Sequence, residues 1–123
     1  MQIRVYYEDT DTGGVVYHSN YLNFCERARS QLFFDRGMKP FDSRGGFVVK
    51  DLTAKFIASA KLGDTLFVDS KILELKRASL KLKQRVFLEK RVIFEMDIHL
   101  TYLKDEKIAK IPKEFLELFQ SLA

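Results

Sequence analysis

Three acids (Glu8, Asp9 and Asp11), two adjacent glycines (Gly13 and Gly14) and one of only two histidines (His18) fall within a short stretch near the N-terminus. A carboxylate without a fixed counter-ion in a partly dry site acts as a general base or a nucleophile. The free amides at a helix start carry partial positive charge and stabilise a developing oxyanion. Asp11 before the glycine turn and a helix beginning near His18 would supply both from one segment. The competing reading is that Asp9 and Asp11 only accept bonds from turn amides, and the residue chemistry leaves the two open.

Other chemistries fit less well. Asp9, Asp11 and Gly14 match positions 1, 3 and 6 of an EF-hand loop, but position 5 is Gly13 and position 12 is Asn20 instead of glutamate. Gly13-Gly14 is not followed by the Lys-Ser or Lys-Thr of a phosphate loop. Two histidines and one cysteine, widely spaced, make no zinc pattern, so no metal is expected. Cys25 could be a nucleophile only beside a base. It sits in the middle of an apolar stripe, where a small buried hydrophobe is the simpler reading. His99 shares a strand face with Glu95, Asp97 and Thr101, which reads as a solvated face.

The elements that must hold these residues follow from periodicity. Gln2 to Glu8 alternates weakly and predicts a strand with Ile3, Val5 and Tyr7 on one face. Thr12-Gly13-Gly14 ends it. Ser19 or Asn20 is expected to cap a helix. From Tyr21 the positions Tyr21, Phe24, Cys25, Ala28 and Leu32 form one apolar stripe. Leu22, Glu26, Arg29 and Phe33 form a second, mixed face, so the helix should be covered on more than one side. Gly37 should end it. A loop is expected from Met38 to Gly46, a strand from Phe47 to Ala58, a turn at Lys61 to Asp64 and a strand from Thr65 to Leu75. Two more strands alternate with period two: Leu80, Leu82, Gln84, Val86 and Leu88 share one face, then Val92, Phe94, Met96, Ile98, Leu100 and Tyr102 share another. Their short connections suit hairpins. Pro112 suits a first helical turn, before Phe115, Leu116, Phe119 and Leu122. Strand, long helix, four strands and short helix make an α+β domain with the helix packed on an antiparallel sheet, spanning residues 1–123.

The 123 residues are 46% hydrophobic and 31% charged, the balance of a globular chain large enough to bury a core. A single cysteine excludes an intrachain disulfide and suits a reducing compartment. Neither a signal-like apolar run nor a membrane span is visible, so a cytoplasmic setting is expected. The net charge of +4 comes from basic residues interspersed with acids. That predicts a solvated surface, part of which can steer an anionic ligand, and no nucleic-acid motif accompanies it.

Tyr7-Glu8-Asp9-Thr10-Asp11, Gly13-Gly14-Val15-Val16-Tyr17-His18, Asn20-Tyr21-Leu22 and Glu26-Arg27-Ala28-Arg29 closely resemble the signature of the YbgC-type acyl-CoA thioesterases. These form part of the 4-hydroxybenzoyl-CoA thioesterase branch of the hotdog-fold superfamily. The resemblance implies a long helix wrapped by an antiparallel sheet, pairing of domains edge to edge as a homodimer or dimer of dimers (a homotetramer), and active sites at the dimer contact. It implies hydrolysis of acyl-CoA, or of acyl groups on a carrier protein, with no cofactor. In bacteria the YbgC type is associated with the Tol-Pal envelope system and phospholipid metabolism. By position, the catalytic carboxylate falls on Asp11 and the carbonyl-polarising amide on His18, whose side chain would orient water or the carbonyl. Tyr7 and Asn20 match as supporting residues. Arg77, Lys81, Lys83, Lys90 and Arg91 are candidate contacts for the CoA phosphates. Phe47, Val48 and Phe56 are candidates for the acyl pocket, or else core. Alternatives are a non-catalytic acyl-thioester binding module or assembly factor, and dehydration of a hydroxyacyl thioester.

Overall fold

The computed structural model describes residues 1–43 and 45–123; Arg44 lies outside them. Strand β1 (Gln2–Arg4) leads through a 3-10 turn (Tyr7–Asp9) and a short hairpin into helix α1 (His18–Phe34). Strands β2 (Gly45–Phe56), β3 (Thr65–Leu75), β4 (Ser79–Leu88), β5 (Arg91–Lys104) and the two-residue β6 (Lys107–Ile108) follow, then helix α2 (Lys113–Gln120). Every pairing is antiparallel, in the order β1-β3-β4-β5-β2, with β6 on β5. This is the expected α+β hotdog arrangement, one long helix held by a curled antiparallel sheet.

Helix α1 packs across β3 and β4. Tyr21, Phe24, Cys25, Ala28 and Phe33 are buried against Leu66, Val68, Leu80, Leu82, Val86, Phe94, Met96 and Ile98. Each fully buried large side chain of this kind contributes about 1.5–3 kcal/mol. The expected second face of the helix is covered in part: Leu22 and Arg29 are half-buried and Phe33 is buried, while Glu26 is exposed. At its C-terminal end Gly37 takes φ 70°, and its amide donates to the Phe34 carbonyl. A left-handed angle there favours glycine.

One polar side chain lies in this core. Gln84, on the inward face of β4, is fully buried. Its amide nitrogen donates to the Cys25 carbonyl (2.9 Å) and to Ser70 Oγ (3.0 Å), and its oxygen accepts from Arg29 (2.9 Å). A buried amide satisfied in this way costs little and ties helix to sheet in one register.

The outer face of the sheet is charged, and the strand register orders the charges. Lys55, Glu95, Arg85 and Asp69 form one row across β2, β5, β4 and β3; Asp51, His99, Lys81 and Glu74 form another. Signs alternate along the first row, where Arg85 holds Asp69 at 2.7 Å.

Several elements depart from the sequence reading. The strand predicted to reach Glu8 stops at Arg4, because the Asp9 carboxylate accepts from the Tyr6 amide (2.9 Å) and draws the chain into a 3-10 turn. Tyr7 therefore points to solvent while Ile3 and Val5 stay buried. Gly45 and Gly46 belong to β2, not to the preceding loop. Pro112 precedes α2 as its N-cap. His99 is half-buried, its Nδ1 3.6 Å from Asp51 Oδ2, where a freely solvated side chain was expected. Strand β6 carries too little pattern to be read beforehand.

Candidate active site

The acid-and-glycine stretch folds as a small hairpin. Thr10 bridges Val16, the Asp11 amide donates to the Val15 carbonyl (2.9 Å), and the Tyr17 amide donates to the Asp9 carbonyl (2.9 Å). The Val16 amide donates to the Ala60 carbonyl, and Val15 bridges Lys61, so the hairpin is tied to the segment after β2. The two glycines serve differently. Gly14 sits at φ 80°, which other residues resist. At Gly13 a Cβ would stand 3.2 Å from Asp11 Oδ1.

The two aspartates divide the work. Asp9 is buried; its carboxylate holds the Tyr6 amide, and its carbonyl also accepts from Asn20 Nδ2 (2.9 Å). Asp11 is exposed, with Oδ1 accepting from the Gly13 amide (2.8 Å) and the Val15 amide (3.3 Å). No hydrogen bond to its Oδ2 is found among the described residues. The turn-amide reading thus holds for Asp9 and for one oxygen of Asp11, and leaves the other oxygen open.

Helix α1 starts at His18, with Tyr17 as N-cap and no capping side chain. The expected caps are displaced: Ser19 and Asn20 lie inside the first turn, where Asn20 reaches back to Asp9 instead of to a helix amide. Helix geometry leaves the first amides without intrahelical acceptors. The Asn20 amide donates to the Tyr17 carbonyl (2.9 Å), and no side chain among the described residues caps those of His18 and Ser19, so the positive end of the helix stays available. The His18 ring lies 4.4 Å from Tyr17 and 6.1 Å, edge-on, from Phe56. Beside it is a pocket of about 230 Å³ walled by Val16, His18, Tyr21, Phe56, Ile57 and Ser59. Asp11 is not in that wall, and across the hairpin it is paired with Val15, not with His18.

The remaining candidates separate. Tyr7 is among the most exposed aromatic residues (82%). Lys81 and Lys83 lie on the outer face of β4, opposite α1, and Lys83 is 3.0 Å from Asp97. Arg77 precedes β4 while Lys90 and Arg91 follow it, so the two groups lie about 30 Å apart along the strand. The five do not converge on one phosphate site. Of the acyl-pocket candidates, Phe56 borders His18, Phe47 lines a second pocket and Val48 is exposed. Cys25 is fully buried and its thiol is pushed up to about 12 by desolvation, which removes it as a nucleophile. The sequence reading named Phe56 as a pocket candidate but did not set it against the His18 ring, because a contact between residues far apart in sequence carries no periodic signal. Gln84 did have one, a polar residue on an otherwise apolar face.

A sequence profile described as Thioesterase superfamily matches residues 13–95, well over half of the chain. The chain belongs to the thioesterase superfamily. The matched span takes in His18 and Asn20 and begins just after Asp11. Among relatives of this superfamily, the chain is 36% identical to the acyl-CoA thioesterase YbgC of Helicobacter pylori, over 99% of this chain and 100% of that one. It is 36% identical to the acyl-CoA thioesterase YbgC of Haemophilus influenzae over 98% and 93% of the two chains. The crystal structure of a probable thioesterase from Bartonella henselae superposes with a TM-score of 0.86 at 29% identity, covering 91% of this chain and 97% of that one.

Proposed function

We propose that this thioesterase hydrolyses acyl-CoA to the free acid and CoA. The observation that carries the reading is the uncapped start of α1 at the His18 pocket, an amide array placed to receive a thioester oxygen as it gains charge. Relatives named as acyl-CoA thioesterases across the whole chain support it. Water adds to the carbonyl carbon as Asp11 takes its proton. The oxyanion collapses, the C–S bond breaks, and the thiolate leaves and is protonated. In the alternative course Asp11 attacks first and water then cleaves the mixed anhydride. The His18 side chain orients water or the carbonyl, Asn20 holds the hairpin to the helix, and no cofactor takes part.

Since Asp11 stands outside its own chain's pocket, we take the working unit to be a homodimer, or a dimer of dimers, paired along β2. That strand is a sheet edge, bridged by Phe41 at Gly46 and without a further strand partner on that side among the described residues, of the kind proteins cover. Acyl groups on a carrier protein are a second possible thioester source, and CoA esters fit a cytoplasmic setting. Among the described residues no helix is long and apolar enough to cross a membrane.

The test is thiol release from acyl-CoA by the wild type and by Asp11→Asn, which keeps shape and removes charge. The expected loss is about 10²–10⁴-fold in kcat with little change in KM. Near-wild-type turnover overturns the assignment. A non-catalytic binding module is favoured by the position of Asp11 outside the pocket; bound acyl-CoA with no thiol release would establish it.

A further inference from the structure

Of the polar residues that wall the His18 pocket, His18 and Ser59 are exposed, while Tyr21 is buried, at 3%. Its ring is fixed on three sides. It stacks on Phe94 at 5.1 Å and meets Phe24 and Phe56 edge-on at 6.1 and 6.0 Å. Helical residues three apart share a face, and side chains lean toward the helix N-terminus. The Tyr21 ring therefore leans over the turn that begins at His18. Its oxygen ends at Ala60, whose amide donates to it (3.0 Å) and whose carbonyl takes the Val16 amide (2.9 Å). A phenol accepts and also carries one proton to donate. No acceptor for that proton is found among the described residues, and Val16, Phe56 and Ala58 bring no polar side chain to it. Burial pushes the phenol above its ordinary range, so the proton stays on the oxygen. A buried donor left without an acceptor is costly and uncommon.

We propose that the Tyr21 hydroxyl donates a hydrogen bond to the carbonyl oxygen of the bound thioester, as a side-chain donor beside the amides at the start of α1. The assignment rests on the hydrolase reading above and adds a catalytic residue to it. The pocket wall places the phenol and the helix start around one space. As water adds to the carbonyl carbon, the electron pair of the C=O bond moves onto oxygen. The Tyr21 bond then becomes charge-assisted, and such bonds are shorter and about twice as strong as neutral ones. No proton has to leave the phenol. The interaction is thus worth more in the transition state than in the bound ester, and it raises kcat. The Ala60 amide and the stack on Phe94 hold the oxygen in place before the substrate arrives, so little reorganisation opposes the reaction.

The test combines a rate with a carbonyl spectrum. Tyr21→Phe keeps the ring stack and removes the hydroxyl. It should lower kcat for thiol release from butyryl-CoA about 10²-fold with little change in KM. An unchanged kcat overturns the proposal and leaves the hydrolase reading standing. The variant also strips the Ala60 amide of its acceptor, so a slower rate is read together with the spectrum. Butyryl-CoA labelled with carbon-13 at the thioester carbon is bound to Asp11→Asn, which hydrolyses it slowly, and its carbonyl stretch is read by infrared difference. A donor on the oxygen weakens the C=O bond. Adding Tyr21→Phe should therefore raise the stretching frequency. Placing ortho-fluorotyrosine at Tyr21, which keeps the Ala60 acceptor and sharpens the donor, should lower it; this arm stands even where Tyr21→Phe does not fold. A band unmoved by ortho-fluorotyrosine overturns the proposal whatever the rates, because a shift in Tyr21→Phe alone would then mark a moved hairpin. No thiol release by the wild type overturns the hydrolase reading instead. The same bands, read on the wild-type chain with bound butyryl-CoA, then decide whether Tyr21 meets the carbonyl.

Discussion

Asp11 and its two glycines form a unit in which backbone freedom serves a side chain. Gly13→Ala would press a methyl against the Asp11 carboxylate at 3.2 Å. The expected outcome is a folded protein with activity reduced at least several-fold, checked by thiol release beside a thermal melt. Gly14→Ala faces no crowding, yet its φ of 80° should cost about 1 kcal/mol of stability, measured in urea. Cys25 makes a different kind of prediction. Desolvation raises its thiol from the ordinary value of 9.0 to about 12. The folded chain therefore holds a proton that the unfolded chain releases between those values. Its contribution is complete below pH 9 and lost as pH rises toward 12. Wild-type stability should accordingly fall more steeply than that of Cys25→Ala between pH 8 and 10, by about 1 kcal/mol in urea unfolding. The acids, the glycines and the buried cysteine were all legible from residue types and spacing. The division of labour between Asp9 and Asp11 was not, because it depends on which oxygen meets which amide.

Among the elements, β4 and β5 were readable because alternation reports burial directly, their inward faces lying in the core with α1. The start of α1 was misplaced by a few residues. The expected Ser19 or Asn20 cap follows a local preference, whereas the observed start is set by the Asp9 carbonyl, which takes both the Tyr17 amide and the Asn20 side chain. Strand β1 was overextended for a similar reason, since the Asp9 carboxylate turns the chain before the alternation ends. The Gln84 tether belongs to this scale. Gln84→Leu removes the acceptor of Arg29 and the donor to Cys25 and Ser70. It should destabilise by about 1–3 kcal/mol through the groups left unpaired. Pairing it with Arg29→Met should recover part of that loss, because the double variant leaves no cation without its partner. Chemical denaturation of the two singles and the double measures the coupling.

For the whole molecule, the fold was legible through resemblance as well as pattern, while the layout of the basic residues was not. Strand register, which no local pattern encodes, sends Lys83 to Asp97 on the outer face and leaves Lys90 and Arg91 at a strand turn. KM for acyl-CoA should rise with added salt, and Lys90→Ala with Arg91→Ala should flatten that dependence more than Lys83→Ala, whose charge already has a partner. The outer rows of the sheet bear on assembly as well. At the free edge they end in Asp51, Thr53 and Lys55. Two copies laid antiparallel about a two-fold axis at Thr53 would set each Asp51 against the partner's Lys55. Sliding the axis to Asp51 or to Lys55 would set like charge on like. The edge is thus self-complementary in charge, and in the proposed dimer it would work as a vernier: hydrogen bonding alone would accept several alignments, and the charges would select one. If the chain pairs along β2 as proposed, Lys55→Glu should weaken that dimer by about 1 kcal/mol over its two symmetric contacts, Asp51→Lys likewise, and the two together should restore it in sedimentation equilibrium.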